Sequence, residues 1–277
     1  MRLCSAWRDA GPIGLLAGSG ELPLLFAEAA RSAGRDVIVF GVRDCTDPRI
    51  EAFVKETHYV SLGSVGELIG LLKAARVRSA VLAGGIPKER LYDPALKLDG
   101  TARGLLGATA NHGDDHLLKA LAALLKLRCG ISVIDSRRIL KDVTAPRGAL
   151  TRRLPTAGER ADIAFGLRVA RGIGRLDIGQ TVAVKDRVVV AVEAIEGTDA
   201  AIRRAGQLAG VGVIIVKTAK PRQDLRFDLP CVGPATIDAM AASGARALGV
   251  EAGKTILLEK DRTLKAADEK GISITGV

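Results

Sequence analysis

Residues 13–40 read IGLLAGSGELPLLFAEAARSAGRDVIVF. The apolar run 13–17 is short and ends in Gly-Ser-Gly. Apolar residues then recur at helical spacing over 22–33, and a second apolar run follows at 37–40. Strand, helix, strand in that order predicts a βαβ unit, hence a parallel sheet and an α/β fold. The pattern continues downstream. Ser64 precedes a helical pattern over 65–75 as its expected N-cap, and 80–83 reads as a third buried strand closed by Gly84-Gly85. An amphipathic helix is expected over 113–128, with Asp114 and Asp115 near its positive end, and a strand over 131–134.

Between Lys141 and Pro155 the chain carries two prolines, few large apolar residues and four basic ones. That composition reads as a linker or surface crossover and divides the chain into domains 1–145 and 146–277. Beyond it, Thr156-Ala-Gly-Glu159 has the form of a capping box ahead of a helix reaching about Arg171. Strands are expected at 181–184 and 188–194 around a tight turn at 185–187. A helix at 199–209, a strand at 213–216, a helix at 235–247 and a strand at 255–258 make the second half an α/β domain as well. A chain of 277 residues exceeds what one core usually serves, in keeping with two domains.

Composition narrows the classes of function. With 48% hydrophobic and 26% charged residues the chain has the make-up of a folded globular protein. Five Phe, two Tyr and one Trp give little platform for stacking bases, so no nucleic-acid partner is expected. The net charge of +10 is spread evenly, with 21 basic and 16 acidic residues up to residue 150 and 20 and 15 after it. An even positive field suits a phosphorylated ligand and contact with an anionic membrane surface. No apolar stretch of about 18 residues occurs, so a cytoplasmic protein with peripheral membrane contact is expected. The four cysteines form no CxxC pair, which argues against a disulfide framework or structural zinc.

Three segments carry candidate chemistry. The loop Gly18-Ser19-Gly20-Glu21-Leu22-Pro23 follows the first strand, where backbone N–H groups can cradle a phosphate. Pro23 breaks the GxGxxG pattern, and no Lys-Ser/Thr completes a P-loop. Lys217-Thr-Ala-Lys220-Pro221-Arg222-Gln223-Asp224-Leu225-Arg226-Phe227-Asp228-Leu229-Pro230 gathers four cations and two carboxylates directly after an apolar strand. Its cations can hold a pyrophosphate, while Asp224 and Asp228 can bind Mg²⁺ or activate water. Glu193, Glu196 and Asp199 offer further carboxylates at the end of another strand, with helix capping as the alternative role for Asp199. The run Asn111-His112-Gly113-Asp114-Asp115-His116 contains the residue types of a dinuclear metallophosphoesterase motif. The chain has only three histidines, at 58, 112 and 116, and so lacks the Asp-x-His near the N-terminus that this class needs, which excludes it.

Taken together, GLLAGSGELP (14–23), GDDHLL (113–118), VEAIEGTD (192–199) and KTAKPRQDLRFDLPCVG (217–233) resemble the LpxI family of UDP-2,3-diacylglucosamine pyrophosphatases. The resemblance runs from about Pro12 to the C-terminus. It implies a Rossmann-like N-terminal domain, a second α/β domain with the substrate cleft between them, dependence on Mg²⁺ and Asp224 as the essential acid. It further implies that water attacks the α-phosphorus to release UMP and 2,3-diacylglucosamine 1-phosphate. Gly18, Ser19, Gly20, Gly84, Gly85, Asn111, Lys217, Lys220, Arg222, Gln223 and Arg226 are the expected substrate contacts. Asp224 is the preferred metal ligand, followed by Asp228, Glu193 and Asp199. A homodimer is expected. Two other classes stay open: an NAD(P)-binding oxidoreductase, for which Asp44 stands about where a ribose-binding acid belongs, and a non-catalytic lipid-binding protein using the apolar helix 117–127.

Overall fold

The computed structural model describes residues 11–87, 90, 93–109, 114–221, 224–227 and 229–277. They form two compact units, one of the described residues up to 140 with 226 and 227, and the other of those from 141 to 225 and from 229 to 277. The first is built from β1 (Ile13–Ala17), α1 (Leu22–Ser32), β2 (Val37–Val42), β3 (Glu56–Val60), α2 (Val65–Ala74), β4 (Ser79–Ala83), α3 (Gly100–Thr109), α4 (Asp114–Cys129) and β5 (Ser132–Val133). Its sheet runs in the order β3-β2-β1-β4-β5, and every pairing is parallel. The order reverses between β1 and β4, so the carboxyl ends of these two strands form the switch point of the unit.

Apolar periodicity explains most of this unit. Leu15 of β1 and Val39 of β2 are fully buried, as strands covered on both faces require, and Phe26 of α1 and Leu72 of α2 are buried with them. Phe40, Leu82, Leu125, Ile131 and Phe227 share one core cluster, so the apolar helix 117–127 spends Leu125 on the core and leaves Leu127 exposed. The start of α2 differs from expectation. Ser64 makes no side-chain cap; the Asp99 carboxylate accepts from Gly66 N–H at 2.6 Å and from Ala102 N–H at 2.7 Å, serving the starts of α2 and α3 together.

The second unit comprises β6 (Gly148–Ala149), α5 (Ala157–Arg175), β7 (Thr181–Lys185), β8 (Val188–Val192), α6 (Thr198–Ala209), β9 (Ile214–Lys217), β10 (Cys231–Val232), α7 (Pro234–Ala242), β11 (Ala247–Val250), β12 (Ile256–Leu257), α8 (Lys260–Glu269) and β13 (Ser273–Gly276). Six strands run in the order β6-β13-β11-β9-β7-β8, with β9, β11 and β13 mutually parallel, while β10 and β12 pair separately. The expected capping box is present: Glu159 N–H donates to the Thr156 hydroxyl at 3.2 Å and Thr156 N–H to the Glu159 carboxylate at 2.8 Å. The hairpin β7–β8 turns on Asp186 and Arg187, both with positive φ, and their N–H groups donate to the buried Asp162 carboxylate at 3.0 and 2.7 Å.

One expectation fails in this unit, and the segment between the two halves is better ordered than a free linker. The helix read over 235–247 stops at Ala242, because Ser243-Gly244 turns the chain with Gly244 at φ +69°, and 247–250 then forms β11 in the middle of the sheet. The segment read as a linker or surface crossover is tied into the sheet of this unit. Ala145 exchanges backbone bonds with Thr255 and Gly253, and β6 pairs antiparallel with β13.

Candidate active site

At the switch point of the first unit, the two glycine loops bind each other. Ser19 N–H donates to Gly85 C=O at 2.8 Å and Gly85 N–H to Ser19 C=O at 3.3 Å, forming an isolated antiparallel bridge that the Ser19 hydroxyl reinforces at 2.9 Å. A Cβ on Gly18 would lie 2.4 Å from the Gly85 carbonyl oxygen, and one on Gly84 2.4 Å from the Ser19 carbonyl oxygen. These glycines are therefore demanded by the close approach of two backbones, whatever they touch besides. Gly20 differs, with φ +91° and open space where its Cβ would be. Asp44 follows β2 on the same edge, exposed and left-handed at φ 55°, its carbonyl accepting from the Arg90 guanidinium at 2.8 Å.

In the second unit the cation-rich segment rises from the carboxyl end of β9. Lys217 is the last residue of that strand and is only 6% exposed. Its ammonium donates to the Thr198 hydroxyl at 2.9 Å, and that hydroxyl donates to the Glu193 carboxylate at 2.7 Å. The structure thus brings two expected site residues, Lys217 and Glu193, into one buried relay. The other Glu193 oxygen accepts from Gln180 N–H at 3.4 Å. Around the relay, the hydroxyls of Thr181 and Thr218 and the amide oxygen of Gln180 are buried without hydrogen-bond partners. Lys220 reaches Asp177 at 2.5 Å, and Pro221 crosses α5 at Gly174, where a Cβ would sit 3.0 Å from the proline ring. Asp224 is half-buried further along the same segment. Arg226 is exposed and belongs to the first unit, its guanidinium 5.0 Å from the centre of the Phe227 ring. Asn111, Arg222, Gln223 and Asp228 lie outside the described residues.

The remaining carboxylates take distinct places. Asp199 stands in the first turn of α6, whose N-cap is Gly197, so the capping alternative for Asp199 gives way to a favourable interaction with the helix dipole. Glu196 pairs with Arg204 at 2.5 Å; a main-chain hydrogen bond and that cation hold its carboxyl below the usual carboxylate range. Among the described residues, no three His, Cys, Asp or Glu side chains gather in a way that could hold a metal ion.

One residue escaped sequence reading. Glu251 follows β11 and is 6% exposed. Its carboxylate accepts from Ala219 N–H at 3.0 Å, from Lys254 at 2.9 Å and from Arg171 at 3.2 Å. Burial pushes the carboxyl pKa up, but the bonds from Lys254 and Ala219, the Lys254 charge and Arg171 outweigh it and leave the group below its ordinary value. The expected helix over 235–247 concealed β11, and with it the position of Glu251 at a strand's carboxyl end.

Fold and site define a two-domain α/β protein that gathers its polar groups where parallel strands end, the usual place for ligand chemistry in such sheets. Residues 12–143 match the LpxI N-terminal domain and 146–275 the LpxI C-terminal domain. The chain belongs to the LpxI family. It is 35% identical over 279 aligned residues to the UDP-2,3-diacylglucosamine pyrophosphatase LpxI of Caulobacter vibrioides, covering 96% of this chain and 97% of that protein. Among solved structures, a nucleoside-diphosphate-sugar epimerase from Pseudomonas aeruginosa aligns over 95% of this chain and 70% of its own at 13% identity and a TM-score of 0.36. A biotin carboxylase domain from Hydrogenobacter thermophilus aligns over 71% and 41% at 12% identity and 0.28. Scores so low support no inference.

Proposed function

We propose that the protein hydrolyses UDP-2,3-diacylglucosamine to UMP and 2,3-diacylglucosamine 1-phosphate with the help of Mg²⁺. The observation that carries this reading is a relationship to a pyrophosphatase of that substrate across both domains, at 35% identity and nearly full length. Family membership also leaves the oxidoreductase and lipid-binding alternatives without support. In the proposed site Asp224 is the catalytic carboxylate. The Lys217 ammonium has a neutral hydroxyl as its hydrogen-bond partner and retains donors for phosphate oxygens. Lys220 is held by an ion pair with Asp177, a partly exposed contact worth about 0–1 kcal/mol that a phosphate can displace. Arg222, Gln223, Arg226, Asn111, Gly18, Ser19, Gly20, Gly84 and Gly85 complete the proposed substrate contacts.

Mg²⁺ is commonly bound by one or two carboxylates together with substrate phosphates and water. A half-buried Asp224 fits that mode, and Asp199 and Asp228 are the remaining candidates. Glu193 fits less well, because its two oxygens already accept from Thr198 and Gln180. Bound there, the ion would neutralise charge on the pyrophosphate. The experiment is direct: purified protein incubated with UDP-2,3-diacylglucosamine and Mg²⁺ releases UMP, and absence of UMP release overturns the reading.

No helix among the described residues is long and apolar enough to cross a membrane. The acylated substrate is then met by peripheral association with the anionic cytoplasmic face of the inner membrane, through basic residues each contributing about 1 kcal/mol near such a surface. Sedimentation with anionic vesicles that weakens as salt rises is the expected result. A homodimer is part of the same proposal, to be read from the solution mass.

A further inference from the structure

The backbone ladder between β9 and β11 ends in an unusual way. Glu251 N–H donates to Lys217 C=O at 3.2 Å, which sets the register of a parallel pair. The next rung of such a ladder would run from Ala219 N–H to the Glu251 carbonyl. That carbonyl is instead turned toward Lys254 and Thr255, whose N–H groups it accepts at 3.3 and 3.1 Å. The Glu251 side chain takes over the missing rung, with Oε2 at 3.0 Å from Ala219 N. Ala219 is 4% exposed, so no solvent stands in for the acceptor. The main chain leaves the sheet at this point and begins the segment that carries Asp224 five residues later.

We infer that Glu251 is a positioning residue, whose carboxylate oxygen fixes the departure of the Asp224-bearing segment from β9 by accepting from the Ala219 amide. The inference rests on the proposed role of Asp224. Arg171 and Lys254 approach the opposite oxygen, Oε1, and hold the carboxylate in orientation. Reach to Ala219 is thereby the property that matters, and charge comes second. Neither Arg171 nor Lys254 depends on Glu251 for solvation, since their side chains are 45% and 41% exposed.

Two substitutions separate reach from charge. Glu251→Asp keeps the charge but withdraws the oxygen by one methylene; Glu251→Gln keeps an oxygen at full reach and drops the charge. Glu251→Asp is expected to lower kcat at least tenfold with KM changed less than threefold, while Glu251→Gln keeps at least a third of the wild-type kcat. Hydrogen exchange reports the same contact without turnover. The amide of Ala219 should exchange at least tenfold faster in Glu251→Asp and near the wild-type rate in Glu251→Gln, with β13 unchanged in both. The reverse order of the two variants, equal loss in both, wild-type kcat in Glu251→Asp, or faster exchange spread through β13 would each overturn the inference. Wild-type protein that releases no UMP would sink the proposed function instead, and the exchange rates would still decide the role of Glu251.

Discussion

The Lys217 ammonium lies 2.9 Å from the Thr198 hydroxyl, at the head of a buried relay that ends on Glu193. A lysine expected to wave from a loop is in fact the last residue of a central strand. Glu193→Gln and Lys217→Met should each destabilise the protein by about 1–3 kcal/mol, since either leaves buried polar atoms short of a partner. The double variant should lose less than the sum, with a coupling of at least 0.5 kcal/mol. Denaturant unfolding of the four proteins measures this, and strict additivity would mean that the relay stores no energy. If Lys217 also meets the pyrophosphate, kcat/KM of Lys217→Met falls at least 100-fold.

Asp224 sits on a segment whose root is held by Glu251, by the Lys220–Asp177 pair and by the packing of Pro221 on α5. A carboxylate that holds Mg²⁺ or orients water acts on the transition state more than on bound substrate. Asp224→Ala should therefore lose more than a tenfold factor in kcat, above about 1.4 kcal/mol, while still binding the substrate. Removing Mg²⁺ with a chelator should silence the wild-type protein reversibly. A variant retaining a tenth or more of kcat would show that the essential acid lies elsewhere.

Much of this was legible in the sequence, for physical reasons that also explain what was not. The βαβ unit at 13–40 shows itself because strands buried on both faces are continuous apolar runs, Ile13–Ala17 being buried along almost its whole length. β3, ETHYV, is an edge strand with one exposed and three half-buried residues, so it has no such run. β11, ALGV, follows an alanine-rich helix closely enough for helical and strand patterns to merge. The site suffers in the same way. Local sequence marks Asp224 and Lys217 as chemistry-bearing, but the bridge from Ser19 to Gly85 spans 66 residues and the bond from Ala219 to Glu251 spans 32. Long-range backbone contacts leave no periodic trace.

Acid should weaken the second unit in part through Glu159. Burial raises the pKa of this carboxyl, but its bond to Arg153, the Thr156 N–H and the Arg153 charge together lower it below the ordinary value. A depressed carboxyl contributes stability that is complete above its unfolded pKa of about 4.3 and disappears as pH falls through the folded value. Glu159→Gln should therefore lower the unfolding midpoint at pH 7 and narrow the gap to wild type below pH 4. Glu251 is shifted in the same direction, so the variant should retain part of the acid sensitivity. Parallel midpoint curves from pH 7 to pH 3 would remove Glu159 from this account.

The bond that water forms is the most searching test, because attack at either phosphorus of the pyrophosphate gives the same two products. Hydrolysis in H₂¹⁸O should place the label in UMP. Lys217 at the end of β9 and Lys220 beyond it offer positive charge on the root of the segment, with Asp224 further out. Cations there would stabilise charge building on the departing sugar phosphate while Asp224 aligns water with the uridylyl phosphorus. Displacement at phosphorus needs attacking and leaving oxygens roughly in line, so a carboxylate fixed on one side of the pyrophosphate serves one phosphorus and not the other. Label appearing in 2,3-diacylglucosamine 1-phosphate would place the attacking water on the lipid side, and Asp224 could then not be the group that aligns it with the uridylyl phosphorus.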